Sequence, residues 1–492
     1  MSQANNRSLK KNVVLNTFKT FLSLCFPLIT FPYSSRVLGP EKIGMVQFAL
    51  SIVSYFAIFA SLGITTYAVR ETSKARNDQV KFNTTVKEIF TINMISTAIS
   101  YLLLFISFLF IGKFREYKSL ICICSTLIMF TTLGMGWLYQ AVEDYLYITV
   151  RSILFQVISI VMLFTFVKSQ DDYLWYAAIN IISNVGANIC NFIHSKKYVS
   201  FNKKNCNKME LKHHLKPIFI LFASAVAGTI FSHIDTTMIG FLSTSAEVGY
   251  YSAGVKIVRM ITNLFPAIVA VIFPRISYYV SRNDEDSIKK LSEKTLNTLF
   301  CISLPLSCGI FLLMKPLVLL FCGQTFVDAI TVSQIMSPYI FLCAVSGFLG
   351  TGLIISFGKE LSNLIIILIS AVIDVILNAF LIPQYGANGA AFSTLLTELF
   401  IFSAYSIILK ERMMGLKIKL NFLEFVAATA IMGIVITFIQ KFLENFFLQL
   451  FVNTMAGIIV YFGLLIAIRN QYIIDELNQI KLKISAKIKR NH

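Results

Sequence analysis

The sequence predicts an all-α polytopic membrane protein with about fourteen transmembrane helices. Of its 492 residues, 56% are hydrophobic and 14% are charged, whereas a soluble domain carries about 25% charged residues. Apolar stretches of about 20 residues, the length that spans a bilayer, recur from one end of the chain to the other. Basic residues are concentrated in alternate loops between these stretches. These three observations exclude a soluble protein.

Fourteen apolar stretches are long enough to be spans. They cover approximately residues 13–36, 44–69, 84–111, 119–138, 146–167, 173–194, 214–241, 249–275, 295–322, 331–356, 361–382, 387–409, 421–440 and 447–468. The first stretch follows Arg7, Lys10 and Lys11, as in a signal peptide, but no small-residue cleavage site comes after it. We therefore interpret it as a retained first span.

The positions of the cations predict the orientation in the membrane. If the N-terminus is cytoplasmic, 31 of the 43 Lys and Arg residues lie on the cytoplasmic side, 7 on the opposite side and 5 within spans. Cytoplasmic loops characteristically carry an excess of Lys and Arg, so both termini are predicted to be cytoplasmic. The net charge of +18 then reflects topology and contact with anionic membrane lipids, and no nucleic-acid partner is expected.

A weak internal repeat predicts two similar lobes. A shift of 205 residues superimposes four pairs of identical residues, namely Gly44 on Gly249, Val53 on Val258, Arg70 on Arg275 and Glu88 on Glu293. This shift equals the step from the second span to the eighth, as expected for two pseudo-symmetric six-helix lobes inserted in the same direction. The predicted divisions are an N-lobe at 1–200, a basic cytoplasmic linker at 201–213, a C-lobe at 214–412, two further spans at 413–470 and a basic cytoplasmic tail at 471–492.

Six ionisable residues within spans are candidates for function. A charged residue at the centre of a membrane helix costs about 2.5 to 3.5 kcal/mol, so it normally faces protein or water. The six are Lys19, Asp235, Lys256, Arg259, Asp374 and Glu398. Two interpretations stay open for Asp235, which could pair with Lys256 or Arg259 or could act on a substrate. Asp374 and Glu398 could bind a coupling proton or could hydrogen-bond neighbouring helices.

The sequence predicts neither a cofactor nor a metal site. Eight of the nine cysteines lie in apolar stretches, and the chain has no CxxC pair and no histidine cluster with ligand spacing. It also lacks the P-loop pattern of ATP-binding proteins. Every predicted external loop is short, so no loop could house a catalytic domain, and we expect a protein that is not an enzyme.

Three stretches carry a family resemblance. They are Ser34–Gly44 (SSRVLGPEKIG), the pair His233–Gly240 (HIDTTMIG) and Val248–Ala253 (VGYYSA), and Leu381–Glu398 (LIPQYGANGAAFSTLLTE). Together they resemble the polysaccharide-transporter branch of the multidrug/oligosaccharidyl-lipid/polysaccharide (MOP) exporter superfamily. Within this branch, the chain is most similar to the Wzx-type flippases that export O-antigen or capsule repeat units. Nearly the whole chain takes part in the resemblance.

The resemblance implies a MATE-like, V-shaped pair of lobes around a central cavity, with alternating access. The implied cargo is an undecaprenyl-diphosphate-linked oligosaccharide, which crosses from the inner to the outer leaflet of the bacterial cytoplasmic membrane. Family members line the cavity with cations, which Lys19, Lys256 and Arg259 match by position, and Arg36, Asp235 and Glu398 match motif residues. The expected roles are substrate binding by Lys19, Arg36, Asp235, Lys256 and Arg259, and ion coupling by Asp374 and Glu398.

The resemblance and the charge of the cargo also suggest the driving force of transport and the partners of the protein. The membrane potential, an ion antiport or both would drive transport. The expected partners are the lipid-linked oligosaccharide, membrane lipids, a polysaccharide polymerase and a chain-length regulator.

Two other functions are compatible with a polytopic membrane protein. A cation or drug antiporter of the same architecture would need an anionic cavity, and the cations at Lys256 and Arg259 argue against it. An intramembrane polysaccharide polymerase usually carries a long external loop with catalytic Arg or His residues, which this sequence lacks.

Overall fold

The computed structural model describes residues 9–200, 209–415 and 420–478, with side chains from residue 26 onward except at 224 and 413–415. Within these ranges the structure contains helices and no strands. The helices are α1 (Leu9–Ser61), α2 (Ile64–Lys74), α3 (Gln79–Phe110), α4 (Gly112–Glu116), α5 (Lys118–Gly134), α6 (Gly136–Ala141), α7 (Tyr145–Phe166), α8 (Tyr173–Ile181), α9 (Asn188–Ser195), α10 (Lys212–Leu242), α11 (Ser245–Thr262), α12 (Phe265–Ser281), α13 (Glu285–Cys322), α14 (Ala329–Gly347), α15 (Glu360–Gly415), α16 (Phe422–Gln440) and α17 (Phe446–Ala467).

The structure confirms the predicted class, an all-α polytopic membrane protein. Eleven helical runs in the described part of the chain are long and apolar enough to cross a membrane. The run Glu360–Arg412 contains two of the predicted spans, and the run Phe26–Lys74 contains the second predicted span and the end of the first. The predicted span at 173–194 is interrupted by a π-helical turn at Ile182–Gly186 and is not among the eleven. The exact number of fourteen therefore stays a prediction.

Two glycines interrupt the longest helices at the places where the sequence predicts loops. Gly39 in α1 has φ 71° and ψ 175°, and Gly386 in α15 has φ 55° and ψ −130°. Positive φ is accessible to glycine and rarely adopted by residues with a Cβ atom. Gly39 lies between the first and second predicted spans, and Gly386 between the eleventh and twelfth. Each glycine thus divides a continuous helical run into two segments.

The predicted eighth span, 249–275, forms two helices in the structure. α11 ends at Thr262 and α12 begins at Phe265, with Pro266 in the first turn of α12. Proline is well tolerated in the first turn of a helix, where its missing N–H group would have no partner. The proline therefore explains why a new helix begins at this point.

The chain forms two compact units, Met1–Gly249 and Tyr250–His492. In the first unit, α1 packs against α3, α5, α7 and α10. In the second unit, α14 packs against α13 and α15, and the C-terminal pair α16 and α17 packs against α13. The lobe, linker and tail boundaries inferred from the sequence stay predictions. Linker residues 201–208 and tail residues 479–492 lie outside the described residues.

Two glycines of the internal repeat face each other in the first unit. A Cβ atom on Gly44 would lie 1.7 Å from the Ser245 carbonyl oxygen, and one on Gly249 would lie 2.0 Å from the Pro40 carbonyl oxygen. The repeat shift of 205 residues that relates Gly44 to Gly249 also relates Pro40 to Ser245. The contact is therefore reciprocal, as in an interface between two copies of one surface. A side chain at either glycine would separate the two backbones.

Candidate functional site

The predicted substrate-binding residues of the first unit differ in exposure. Lys19 lies on α1, but its side chain is outside the described residues. Arg36 is exposed and precedes the Gly39 break by less than one helical turn. Asp235 on α10 is 3% exposed. The membrane part of the first unit therefore presents one exposed cation and one buried carboxylate from this set.

Hydroxyl groups join α10 to α1 beside Asp235. Thr237 Oγ1 donates a hydrogen bond to Ser51 Oγ at 3.0 Å, and it lies 3.3 Å from Tyr55 Oη. The charge of Asp235 acts on the same Tyr55 hydroxyl. Asp235 thus belongs to a polar region where these two helices pack, and its predicted pairing with Lys256 or Arg259 stays a prediction.

Arg259 and Glu398 lie near the same two residues of α14 in the second unit. On α11, Lys256 is half-buried and Arg259 is exposed. Arg259 and Glu398 on α15 are both close enough to Tyr339 and Cys343 of α14 for an electrostatic interaction. The structure therefore brings these two predicted site residues to a common region of α14.

The predicted ion-coupling residues lie in a helical hairpin. The segment of α15 after Gly386 packs along the segment before it, and a Cβ atom on Gly389 would lie 2.4 Å from the Leu381 carbonyl oxygen. Asp374, 2% exposed, accepts hydrogen bonds at Oδ1 from Ser393 Oγ at 2.9 Å and from Thr397 Oγ1 at 3.2 Å. Asp374 is therefore hydrogen-bonded to Thr397, the residue immediately before Glu398.

Glu398 is also buried, with 4% of its surface exposed. Within the described part of the chain, Ser346 Oγ on α14 donates a hydrogen bond to the Glu398 carboxylate. Hydroxyl groups can remain hydrogen-bonded to a carboxyl group whether or not it carries a proton, because a hydroxyl both donates and accepts. Asp374 and Glu398 thus both accept hydrogen bonds from hydroxyl groups, and their role in ion coupling stays a prediction.

A further polar cluster in the first unit was missed by the sequence reasoning. His214 Nε2 lies 3.0 Å from Glu88 Oε2, and His214 Nδ1 lies 2.6 Å from Tyr67 Oη. The backbone N–H of Glu210 donates to Glu88 Oε1 at 2.6 Å. Glu88 and His214 are 126 positions apart in the chain, so no local motif could reveal their contact.

The same cluster offers ligand atoms for a metal ion. Glu88, His213 and His214 present ligand atoms within 4.8 Å of one another. Both ring nitrogens of His214 already contact Tyr67 and Glu88. His213 and His214 also lie in the first turn of α10, where the helix dipole disfavours a cation. These contacts fit a hydrogen-bonded tie between α2, α3 and α10 better than a metal centre.

Comparison with solved structures defines the class of protein by its fold. The lipid II flippase MurJ in an inward closed conformation has a TM-score of 0.74 and 17% identity, covering 93% of this chain and 99% of that chain. A multidrug resistance MATE family transporter of the MOP superfamily, in an inward-facing conformation, has a TM-score of 0.65 and 13% identity, covering 82% of this chain and 99% of that chain. The chain has the fold of a multi-pass membrane transporter.

The sequence comparisons then specify the family. The family described as "Polysaccharide biosynthesis protein" matches residues 9–280, more than half of the chain. The chain belongs to this family, as its resemblance to the polysaccharide-transporter branch implies. It is 25% identical over 401 residues to the "Putative O-antigen transporter" of Escherichia coli (strain K12), an alignment that covers 81% of this chain and 96% of that relative.

Proposed function

We propose that the chain is a flippase for undecaprenyl-diphosphate-linked oligosaccharide repeat units. It moves them from the inner to the outer leaflet of the bacterial cytoplasmic membrane by alternating access. The observation that carries the proposal is the alignment with the O-antigen transporter relative, which extends over nearly all of that protein. The family match and the fold shared with a lipid II flippase support it.

In the proposed mechanism, cationic side chains replace the water around the cargo diphosphate. The guanidinium groups of Arg36 and Arg259 are exposed and match phosphate oxygens in a bidentate geometry. Lys19 and Lys256 add point charges, and Asp235 accepts hydrogen bonds from sugar hydroxyls. The polyprenyl tail stays in lipid throughout, since only the diphosphate and the glycan require a polar path.

The membrane potential supplies a driving force for this cargo. Moving one charge across 100 mV is worth about 2.3 kcal/mol, so a dianion leaving an inside-negative cell gains about 4.6 kcal/mol. Asp374 and Glu398 couple a proton or Na⁺ to the return of the empty carrier. Their hydroxyl partners Ser393, Thr397 and Ser346 support this role because they remain hydrogen-bonded as the ion binds and leaves.

The cellular setting of the protein follows from its topology and its cargo. Both termini are cytoplasmic, as the excess of Lys and Arg in alternate loops favours. The protein catalyses no covalent reaction. Its products pass to a polysaccharide polymerase and a chain-length regulator in the same membrane.

Deletion of the gene tests the proposed function directly. We expect loss of surface glycan together with accumulation of lipid-linked repeat units in the inner leaflet, measured by enzymatic labelling of the exposed sugar in inside-out and right-side-out vesicles. Restoration by the wild-type chain and not by Arg259→Ala would support the role of that cation, with the exposed Arg469→Ala as the control. Single units accumulating in the outer leaflet would instead identify a polymerase.

A further inference from the structure

Arg151 is a cation within a membrane helix that the proposed mechanism does not use. It lies on α7, six residues after the helix begins at Tyr145 and thus about 9 Å along its axis. α7 is one of the helices that are long and apolar enough to cross a membrane. Its neighbours Val150 and Leu154 are exposed, as expected of a surface that faces lipid. Arg151 therefore lies near one end of a membrane helix, beside side chains exposed on its surface.

Two of the three guanidinium nitrogens of Arg151 have no hydrogen-bond partner among the described residues. Its Nε and Nη1 atoms are both buried and unpaired, although the side chain as a whole is only part-buried. The two acidic residues at the start of α7 are engaged elsewhere. Glu143 pairs with Arg76 at 3.0 Å, and Asp144 accepts a hydrogen bond from Tyr198 at 2.5 Å. A buried charge without such partners is costly.

Aromatic rings form a fixed wall beside this cation. The Arg151 guanidinium carbon lies 5.8 Å from the centre of the Tyr147 ring. Tyr147 stacks on His194 with ring centres 4.0 Å apart, and Tyr139 stacks on Tyr147 at 5.3 Å. The hydroxyls of Tyr139 and Tyr147 donate to the backbone carbonyls of Asn191 and Cys190, which holds both rings against α9. The cation therefore borders a surface of stacked rings built by α6, α7 and α9.

We propose that Arg151, together with the stacked Tyr147 and His194 rings, forms a binding site for the phosphate group of a membrane lipid. A guanidinium presents parallel N–H donors that match two phosphate oxygens. The site lies about 9 Å along α7 from its start, close to one end of a predicted span, and aromatic rings are enriched at the ends of membrane spans. His194 Nδ1, also buried and unpaired, provides a second polar atom at the same wall.

Two lipids supply this chemistry. One is a bulk anionic phospholipid of the leaflet that contacts the start of α7, predicted to be the cytoplasmic one. The other is the diphosphate of the cargo before it enters the transport path, and this case alone rests on the proposed function. In both cases the cation gains a partner that the described protein residues do not provide.

The experiment measures lipid binding to the full-length protein in nanodiscs or detergent by native mass spectrometry. Phosphatidylglycerol and undecaprenyl diphosphate are the probes, and diacylglycerol is the phosphate-free reference. We expect Arg151→Gln to weaken binding of at least one probe by about tenfold and to leave diacylglycerol unchanged. Arg282→Gln is the matched control, since Arg282 also stacks on a tyrosine, 4.5 Å from the Tyr278 ring centre, but is exposed at the end of α12.

The outcomes distinguish a bulk phospholipid from the cargo diphosphate as the ligand. They also distinguish failure of the lipid site from failure of the proposed flippase function. Weaker binding of both probes identifies a general site for lipid phosphates, whereas a loss confined to undecaprenyl diphosphate identifies a cargo site. Unchanged binding of both probes to a folded Arg151→Gln protein overturns the proposal and leaves the flippase function untouched. If Arg151→Gln does not fold, photoactivatable phosphatidic acid on the wild-type protein replaces it. Adducts on α7 or α9 support the site, and adducts confined to other helices overturn it.

Discussion

Two glutamates with the same burial have different partners in the two units of the molecule. Glu88 on α3 and Glu398 on α15 are each 4% exposed. Glu88 accepts a hydrogen bond from a backbone N–H and contacts an imidazole, whereas the Glu398 carboxylate is bonded to the Ser346 hydroxyl. The backbone N–H and the imidazole contact different oxygens of Glu88 and hold its carboxyl group in one arrangement. A hydroxyl accommodates both protonation states of a carboxyl group, as the role proposed for Glu398 in ion coupling requires.

The largest expected effect comes from removing the structural carboxylate. Glu88→Ala removes the acceptor that contacts His214 Nε2 and the Glu210 N–H, and leaving a buried polar group unsatisfied in this way costs about 1 to 3 kcal/mol. Glu88→Gln keeps an acceptor oxygen for the Glu210 N–H, so we expect roughly half that loss. The free energy of unfolding in a detergent titration measures both. A Glu88→Ala protein as stable as the wild type would show that the contact with His214 is not a structural tie.

The second expected effect concerns transport rather than stability. Glu398→Gln keeps the acceptor oxygen for Ser346, so we expect a stability change below about 1 kcal/mol. Because glutamine cannot exchange a proton, the proposed coupling predicts a rate of repeat-unit export at least about tenfold lower at zero membrane potential. Ser346→Ala is the control, since it removes the hydrogen bond and keeps the carboxyl group. Normal export by Glu398→Gln would show that Glu398 does not couple an ion to transport.

The smallest expected effect comes from Asp172, an exposed carboxylate that contrasts with the two buried glutamates. Asp172 accepts hydrogen bonds from the backbone N–H groups of Lys168 at 3.0 Å and Ser169 at 2.8 Å, and from the Ser169 hydroxyl at 2.9 Å. These bonds hold the pKa of Asp172 below its ordinary value of 3.8. A depressed pKa contributes stability above pH 3.8 that is lost as the pH falls through the folded-state value.

The test of this effect is thermal unfolding of Asp172→Asn and of the wild type between about pH 5 and pH 3. We expect the melting temperature of the wild type to fall slightly more than that of the variant over this interval. Identical slopes would show that the capping bonds of Asp172 make no net contribution. Solvent screens an exposed carboxylate, which is why this effect ranks below those of the two buried glutamates.

The sequence was sufficient to predict the fold class because bilayer-spanning helices require long apolar stretches. It also predicted where the helical runs are divided, since Gly39 and Gly386 lie in the two predicted connections. It did not predict that helical structure continues up to these glycines, nor that the span at 249–275 breaks before Pro266. Such details depend on backbone hydrogen bonding around a single residue, which hydrophobicity does not report.

The site residues were predictable one at a time, but their neighbours were not. Asp374 and Glu398 were identified as ionisable residues in apolar helices, whereas the bonds from Ser393 and Thr397 exist because α15 folds back at Gly386. The contact between Glu88 and His214 joins residues far apart in the chain. Side-chain partners of this kind follow from packing and leave no periodic pattern in the sequence.

The packing of α1 against α10 has a consequence for how the protein is made. Ser51 receives its hydrogen bond from Thr237, which is 186 positions later in the chain. Ribosomes add about 5 to 20 residues per second, so the ribosome needs roughly 10 to 40 s to reach Thr237 after Ser51 is synthesised. During this interval lipid or the insertion machinery must cover the surface that α10 later occupies. The first helix to be synthesised is thus among the last of its unit to complete its contacts.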